Sequence, residues 1–428
     1  MKKKVVSLML ISTMALSLAA CGGKNGGSTE GKKDGASITI LNSKTEIQTQ
    51  FEEMAKAYTE KTGVEVEVYN ADTDTTVASQ VATRYASNDP YTITMVDAKD
   101  IYALADEYAY DLSNEDWASH TKLGITVNGK LAGFPFCVEA RGLIYNAEAI
   151  EKITGEEFKP ENYATLDAFK GLLEQLKAGG MEQPTAILSE YWSLGAHYFA
   201  EVYEQQKDPD AFVNGLLGGT EDLDNNAKFN ELMDTFDVLK EYNYMKGSAA
   251  NADREESSMK LAAGDVAFMF GGNWDWSVIK EYDHSDKMGI MPVPENTSDS
   301  TNTTLVGGGT KYLFVDASDN TSDEQRKAAL DFLNWLVSDA DGNAFLTESC
   351  ALVPAFDQVT ADALDPLSTS VKKYADAGLI ATYDFLPDDH MTVVGQEIMQ
   401  KYLDDAMSRA EMAAAVEEYF KSATPIKH

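Results

Sequence analysis

Cysteine is nearly absent, with three in 428 residues, at positions 21, 137 and 350. A chain of this length does not need the disulfide framework that small secreted domains use in place of a core. Cys137 and Cys350 lie far apart among apolar neighbours, where buried free thiols are the expectation. Histidine is almost as scarce: there are five, at 120, 197, 284, 390 and 428, and no two stand at a metal-ligand spacing. No metal and no cofactor is expected. Basic residues number 35 against 70 acidic ones, a formal charge of −35. So acidic a chain is a poor partner for nucleic acid or an anionic lipid surface, and it suits neutral or cationic ligands. Neither Gly-x-Ser-x-Gly nor His-Glu-x-x-His occurs. Gly307-Gly308-Gly309 precedes a strand-like run, Lys311 to Val315, and lacks the Lys-Ser/Thr of a phosphate loop. Asp339-Ala340-Asp341-Gly342 starts like a calcium loop, but the remaining ligands do not follow, and it reads as a helix-ending turn. These absences favour a binder over an enzyme. They leave a glycoside hydrolase open, because 70 acidic residues always contain some suitable pair.

Long apolar runs are missing as well, except at the start. Lys2, Lys3 and Lys4 precede an apolar stretch from Val5 to Leu18, which ends in small residues. This reads as a secretory signal over residues 1–20, too short to span a bilayer. The tetrad Leu18-Ala19-Ala20-Cys21 resembles the lipobox of bacterial lipoproteins. The resemblance implies that Cys21 becomes the first mature residue and carries lipid on its sulfur and its amine. More than one acyl chain is what stable anchoring requires. Residues 21–36 are rich in glycine and have no apolar period. They are expected to form a flexible tether of roughly 20–25 Å. The location implied is extracytoplasmic, lipid-anchored to the cell membrane.

The rest of the chain exceeds what one core usually serves, so two lobes are expected. Ser37 to Leu41 alternates as a strand. Glu46 to Thr62 shows Ile47, Phe51, Met54 and Tyr58 at helical spacing, with Gly63 as its C-cap. A strand at Val64–Val68, a helix at Thr75–Ser87, a strand at Tyr91–Val96 and a helix from Lys99 follow. This is the doubly wound α/β pattern with a parallel sheet, in which ligands bind beyond the carboxyl ends of strands. Asn42, Ser43 and Lys44, then Asp97, Lys99 and Asp100, should lie along one such edge, where they could equally serve as helix caps. Later apolar stripes predict helices over 165–178, 225–242, 323–336 and 396–420.

Two stretches carry recognition. Residues 128–146 include Asn128-Gly129-Lys130, Phe134-Pro135, Val138-Glu139-Ala140 and Leu143-Ile144-Tyr145-Asn146. Residues 264–276 run as an apolar strand into Gly271-Gly272-Asn273-Trp274-Asp275-Trp276. Glycines permit close approach to backbone, and an indole is a flat apolar plate with a donor edge. Both stretches resemble the sugar-binding proteins of bacterial ABC importers, family 1 of the extracellular solute-binding proteins, and maltodextrin binders in particular. So do Lys61-Thr62-Gly63 before a valine-rich strand, Met288 to Pro294, and Ala329 to Leu336.

The resemblance implies a periplasmic-binding-protein-like fold: two α/β lobes, each a mostly parallel sheet flanked by helices, joined by about three hinge segments. The lobes would be 37–138 plus 295–357 and 139–294 plus 358–428. It implies a carbohydrate ligand, an oligosaccharide such as a maltodextrin, delivered by a monomer to the membrane subunits of an ABC importer. Position by position, Lys44 matches a lysine that bonds sugar hydroxyls. Glu139 faces the cleft, and Glu190, Tyr191 and Trp192 fall at an acid-then-aromatic contact. Trp274 matches the tryptophan on which a sugar ring stacks. Asp97 or Asp100 falls at an acidic contact. Arg141 and Asn273 complete the candidate set, although Arg141 could equally pair with Glu139 or another acid. Trp276 and Trp335 read as packing. The aromatics that maltodextrin binders carry near Val96 and Val394 are missing, with Tyr383 and Phe385 as possible replacements. The rival readings are a cell-surface polysaccharide-degrading enzyme, a sensory or adhesion receptor, and a binder of a non-sugar solute such as a polyamine on the same fold.

Overall fold

Ile38 and Ile40, which alternate with polar residues in the sequence, become the buried face of β1 (Ser37–Asn42). The computed structural model describes residues 36–72, 75–361, 364–382 and 385–424. The signal segment, Cys21, the tether up to Gly35, and Tyr383 lie outside these. β1 pairs in parallel with β2 (Glu65–Asn70) and β3 (Ile93–Asp97). Between them, α1 (Gln48–Thr62) turns Phe51, Met54, Ala55 and Tyr58 inward. It stops at Gly63, whose φ of +80° is cheap for glycine alone and lets its N–H return to the Thr59 carbonyl. Thr76 opens α2 (Val77–Ala86) by accepting from the Ser79 N–H. α3 (Ala98–Tyr108) leaves β3 directly.

The remaining strands are β4 (Ile125–Val127), β5 (Lys130–Asn146), β6 (Thr185–Ala186), β7 (Phe268–Gly272), β8 (Met288–Met291), β9 (Leu305–Val315) and β10 (Ile380–Ala381). The ten form one sheet in the order β2-β1-β3-β9-β5-β7-β6, with β4 and β8 on β5 and β10 on β9. Pairing is parallel at both ends, and at the β2-β1-β3 end this is what the strand–helix alternation predicts. It is antiparallel in the middle, where β9 inserts between β3 and β5. β5 is 17 residues long. Its Phe134–Arg141 stretch pairs with β9, and its Arg141–Asn146 end pairs with β7 and β8. One strand therefore serves both halves of this two-lobed α/β fold.

Helices cover the sheet, among them α4 (Ala147–Thr154); α5 (Leu166–Ala178) and the helices Ala227–Glu241 and Asp323–Ser338 lie close to where the apolar stripes put them. The stripe over 396–420 is not one helix. A π-helical turn (Val393–Met399) and a short α-helix (Gln400–Leu403) end at Asp405, which has a φ of +58°. A new helix, Arg409–Ser422, then starts at a capping box between Ser408 and Glu411. Apolar periodicity carries across such a break, which is why the period alone missed it. The glycine triplet lies inside β9 rather than before it. Asp339 ends one helix and caps the next, as a turn.

Phe169, Phe229, Phe236 and Phe268 centre one apolar core, and Phe51, Phe134, Phe136 and Phe332 a second. Both Cys137 and Cys350 are free thiols. Among the described residues no helix is long and apolar enough to cross a membrane.

Candidate functional site

Glu139 and Arg141 are two apart on β5 and so share a face of the strand. Glu139 is buried. Its Oε1 accepts from Lys44 Nζ at 2.5 Å, and its Oε2 accepts a short hydrogen bond from the Thr310 hydroxyl on β9. Lys44 stands where the chain leaves β1, and it also donates to Glu46 at 2.6 Å. Burial pulls the Lys44 ammonium down, but Glu139 and Glu46 outweigh it and leave the pKa above its ordinary value. Next along β9, Lys311 pairs at 2.5 Å with Asp97 at the end of β3. Burial would raise the Asp97 carboxyl, but Lys311 and then Lys99 and Lys44 hold it below the usual range. Asp100 is buried in the first turn of α3 and takes a 2.9 Å hydrogen bond from Lys99. Burial raises its pKa, and the Lys99 charge does not reverse that. Lys99 also reaches Asp388 at 3.0 Å. The sheet thus brings Lys44, Glu139 and Asp97 into one paired network, with Asp100 at its margin.

Arg141 does not pair with Glu139. Its Nη2 donates to both Glu204 oxygens at 2.7 and 2.6 Å, and its Nε donates to the His197 carbonyl at 3.1 Å.

The second group gathers at the end of β7, where a 3-10 turn holds Asn273–Asp275. Asp275 is fully buried; its Oδ2 accepts from the Gly272 N–H at 2.9 Å and its Oδ1 meets Arg254 Nη1. Arg254 also donates to Glu190 at 3.3 and 2.5 Å, and its guanidinium lies 4.5 Å over the Trp192 ring. The two glycines belong to this turn. A side chain at Gly271 would overlap the Asp275 carboxylate, and one at Gly272 would overlap the six-membered ring of Trp274. They let the indole and its supporting acid lie against the strand. His197 stands between the indoles, with ring centroids 5.1 Å from Trp192 and 4.9 Å from Trp274. Asn273 is buried and uses its amide within the protein: Oδ1 accepts from the Ala140 N–H at 3.1 Å and Nδ2 reaches Ser368 at 3.5 Å. Tyr191 is half-buried, its backbone packed against Gly395.

The two groups are neighbours. Burial lowers the His197 pKa well below its ordinary value, and the charges of Arg141, Arg254 and Lys311 add to the effect. Six residues of this constellation were not legible beforehand: His197, Glu204, Arg254, Asp275, Thr310 and Lys311. Asp275 lies within the 264–276 segment and Lys311 opens the run after the glycine triplet, where residue type alone named no role for either. The other four sit in helices or strands without a motif. Among the described residues no cluster of His, Cys, Asp and Glu could hold a metal ion.

Residues 53–378 match the family described as bacterial extracellular solute-binding protein, and the chain belongs to that family. No curated protein matches the sequence. Among solved structures, the chain is similar to the MsmE binding protein of Bacillus subtilis in an open conformation. That match has 20% identity, a TM-score of 0.72, and covers 91% of this chain and 98% of that one. It is similar to RafE in complex with raffinose, at 18% identity and a TM-score of 0.72 over 90% and 99% of the two chains. A sugar transporter protein of Bacillus licheniformis in complex with stachyose is 18% identical, with a TM-score of 0.66 over 90% and 99%. At such identities the likeness is one of fold. The family is one of binding proteins outside the cytoplasm.

Proposed function

We propose that this chain is a lipid-anchored receptor for an uncharged carbohydrate, an oligosaccharide, which it delivers to the membrane subunits of an ABC importer. The observation that carries the reading is the setting of Trp274. Its indole lies against the strand at Gly272, is steadied by the Asp275 turn, and stays partly uncovered. A flat apolar plate of this kind suits the C–H face of a sugar ring. The cations around it are already matched: Lys44 with Glu139 and Glu46, Lys311 with Asp97, Arg141 with Glu204, and Arg254 with Glu190 and Asp275. Internally paired charges suit a neutral solute with a hydroxyl rim, to which charged groups make the stronger hydrogen bonds. A polyamine would need unmatched carboxylates instead. The raffinose and stachyose bound to proteins of the same fold support the substrate class.

A maltodextrin is one candidate among such sugars. Val96 and Val394 are fully buried and offer no ring, whereas Tyr102 and Phe385 meet at 4.8 Å and supply another aromatic pair. With lobes 37–138 plus 295–357 and 139–294 plus 358–428, a ligand touching both would favour the closed state, which the importer then reads.

The test is a tryptophan-fluorescence and thermal-shift titration of the mature protein with raffinose, stachyose, maltose and longer glucans. A saturable response to at least one is expected, and silence in both measurements across the panel overturns the reading. For the anchor, Cys21→Ser should move the protein from the membrane fraction to the medium.

A further inference from the structure

His197 belongs to no recognised motif and enters the site through the fold alone, in the π-helical turn Ser193–Tyr198. Its backbone carbonyl is held by Arg141 Nε at 3.1 Å, which fixes the residue to β5. Its ring is flanked by Trp192 and Trp274. The Nδ1 of His197 and the Nε1 of Trp274 are both enclosed, and neither has a hydrogen-bond partner. Two enclosed polar atoms left unpaired on touching rings are unusual, because each gives up water and gains nothing in return. Together they mark a place where something else completes the hydrogen bonding.

The chemistry of the pair selects what that can be. Indole Nε1–H can donate and cannot accept, whereas an imidazole Nδ1 without its proton accepts. Burial and the three nearby cations keep His197 neutral, so an accepting nitrogen is available. A hydroxyl accepts from one atom while donating to the other, and a sugar hydroxyl can take the place of a water there. A carboxylate cannot donate, and an ammonium cannot accept.

On the carbohydrate reading given above, we infer that His197 is a ligand-contacting residue, its Nδ1 and the Trp274 Nε1 together gripping one hydroxyl of the bound sugar. The pair then contributes selectivity for hydroxylated over charged solutes, beyond the stacking surface of Trp274.

The experiment is calorimetric titration of wild type, His197→Phe and His197→Asn with raffinose, stachyose and maltose, alongside the ¹⁵N imidazole spectrum of the wild type with and without sugar. His197→Phe keeps a flat ring between the indoles and removes the nitrogen. His197→Asn keeps a polar atom near the Nδ1 position. The expected result is tenfold or greater loss of affinity in His197→Phe at unchanged ligand-free melting temperature, partial recovery in His197→Asn, and a sugar-dependent shift of the wild-type Nδ1 resonance. If wild type binds and His197→Phe binds equally, with the resonance unmoved, the assignment of His197 is overturned and the carbohydrate reading stands. If wild type binds none of the sugars, both fall.

Discussion

Trp274→Ala removes the plate and leaves its floor at Gly272 bare. The expected loss in sugar affinity is about tenfold or more, from ring stacking of roughly 0.5–1.5 kcal/mol together with lost burial. An unchanged dissociation constant in calorimetry removes Trp274 from the site. Lys44 supports a different prediction, about stability. Glu139 is buried against Lys44 and Thr310. Lys44→Ala leaves that carboxylate with the hydroxyl alone, and breaking a buried pair from one side costs on the order of 3–5 kcal/mol. Urea denaturation of Lys44→Ala should show a loss of that order, and Lys44→Met with Glu139→Leu should recover much of it. A double variant as weak as the single one would mean that the pair does not act as a unit. These residues were legible because they stand at strand ends or in quoted motifs. Arg141 was legible too, but its partner Glu204 was not. A guanidinium reaches whatever acid the fold brings near, and sequence spacing does not say which.

The strand β8 and the segment after it supply the prediction at the scale of elements. Glu295 follows Pro292-Val293-Pro294 and is fully buried. Gln205 Nε2 bridges it to the buried Glu201, at 2.8 Å to Glu295 and 3.2 Å to Glu201. Burial pushes the Glu295 carboxyl up to about 8, against the opposing effects of Gln205 and Lys228. Below the ordinary value of 4.5 the group is protonated in both folded and unfolded chains and contributes nothing to pH dependence. Between 4.5 and about 8 the unfolded chain loses its proton first, so stability falls as pH rises. Above that the full penalty remains. Glu295→Gln should therefore match wild type near pH 4 and exceed it at pH 8, by something on the order of a few kcal/mol. Denaturation curves at the two pH values check this, and an equal effect at both would place the cause elsewhere. The capping box at Ser408 gives a smaller test: Ser408→Ala should cost about 1 kcal/mol, read as a lowered urea midpoint. That box also marks where the helix reading of 396–420 went astray, since its Ser and Glu are common residues and the apolar stripe continues on both sides.

For the whole molecule, ligand binding should appear as stability. A sugar present at about 100 times its dissociation constant adds ~2.7 kcal/mol, visible as a raised melting temperature that grows with sugar concentration. A rise independent of concentration would point to a solvent effect rather than a site. Lys99–Asp388 and Tyr102–Phe385 tie α3 to the segment before His390. Asp388→Ala leaves the indole site untouched. The variant should change the fluorescence response to sugar more than the ligand-free melting temperature.

Much of this protein is written locally. An expected leader over residues 1–20 follows from order and composition, and the proposed anchor at Cys21 from its resemblance to a lipobox. The early strands and helices follow from apolar periods of 2 and 3.6, and the two segments around Glu139 and Trp274 from their residue types. The tertiary structure decided the antiparallel centre of the sheet, where β9 returns late in the chain to lie between β3 and β5. It also decided the partners of the site: Glu204 for Arg141, Arg254 for both Asp275 and Glu190, and His197 between two tryptophans. The physical reason is range. A period reports which face of one element is buried, through interactions a few residues long. A pairing between distant segments exists only when the shared burial of the whole sheet holds both in place.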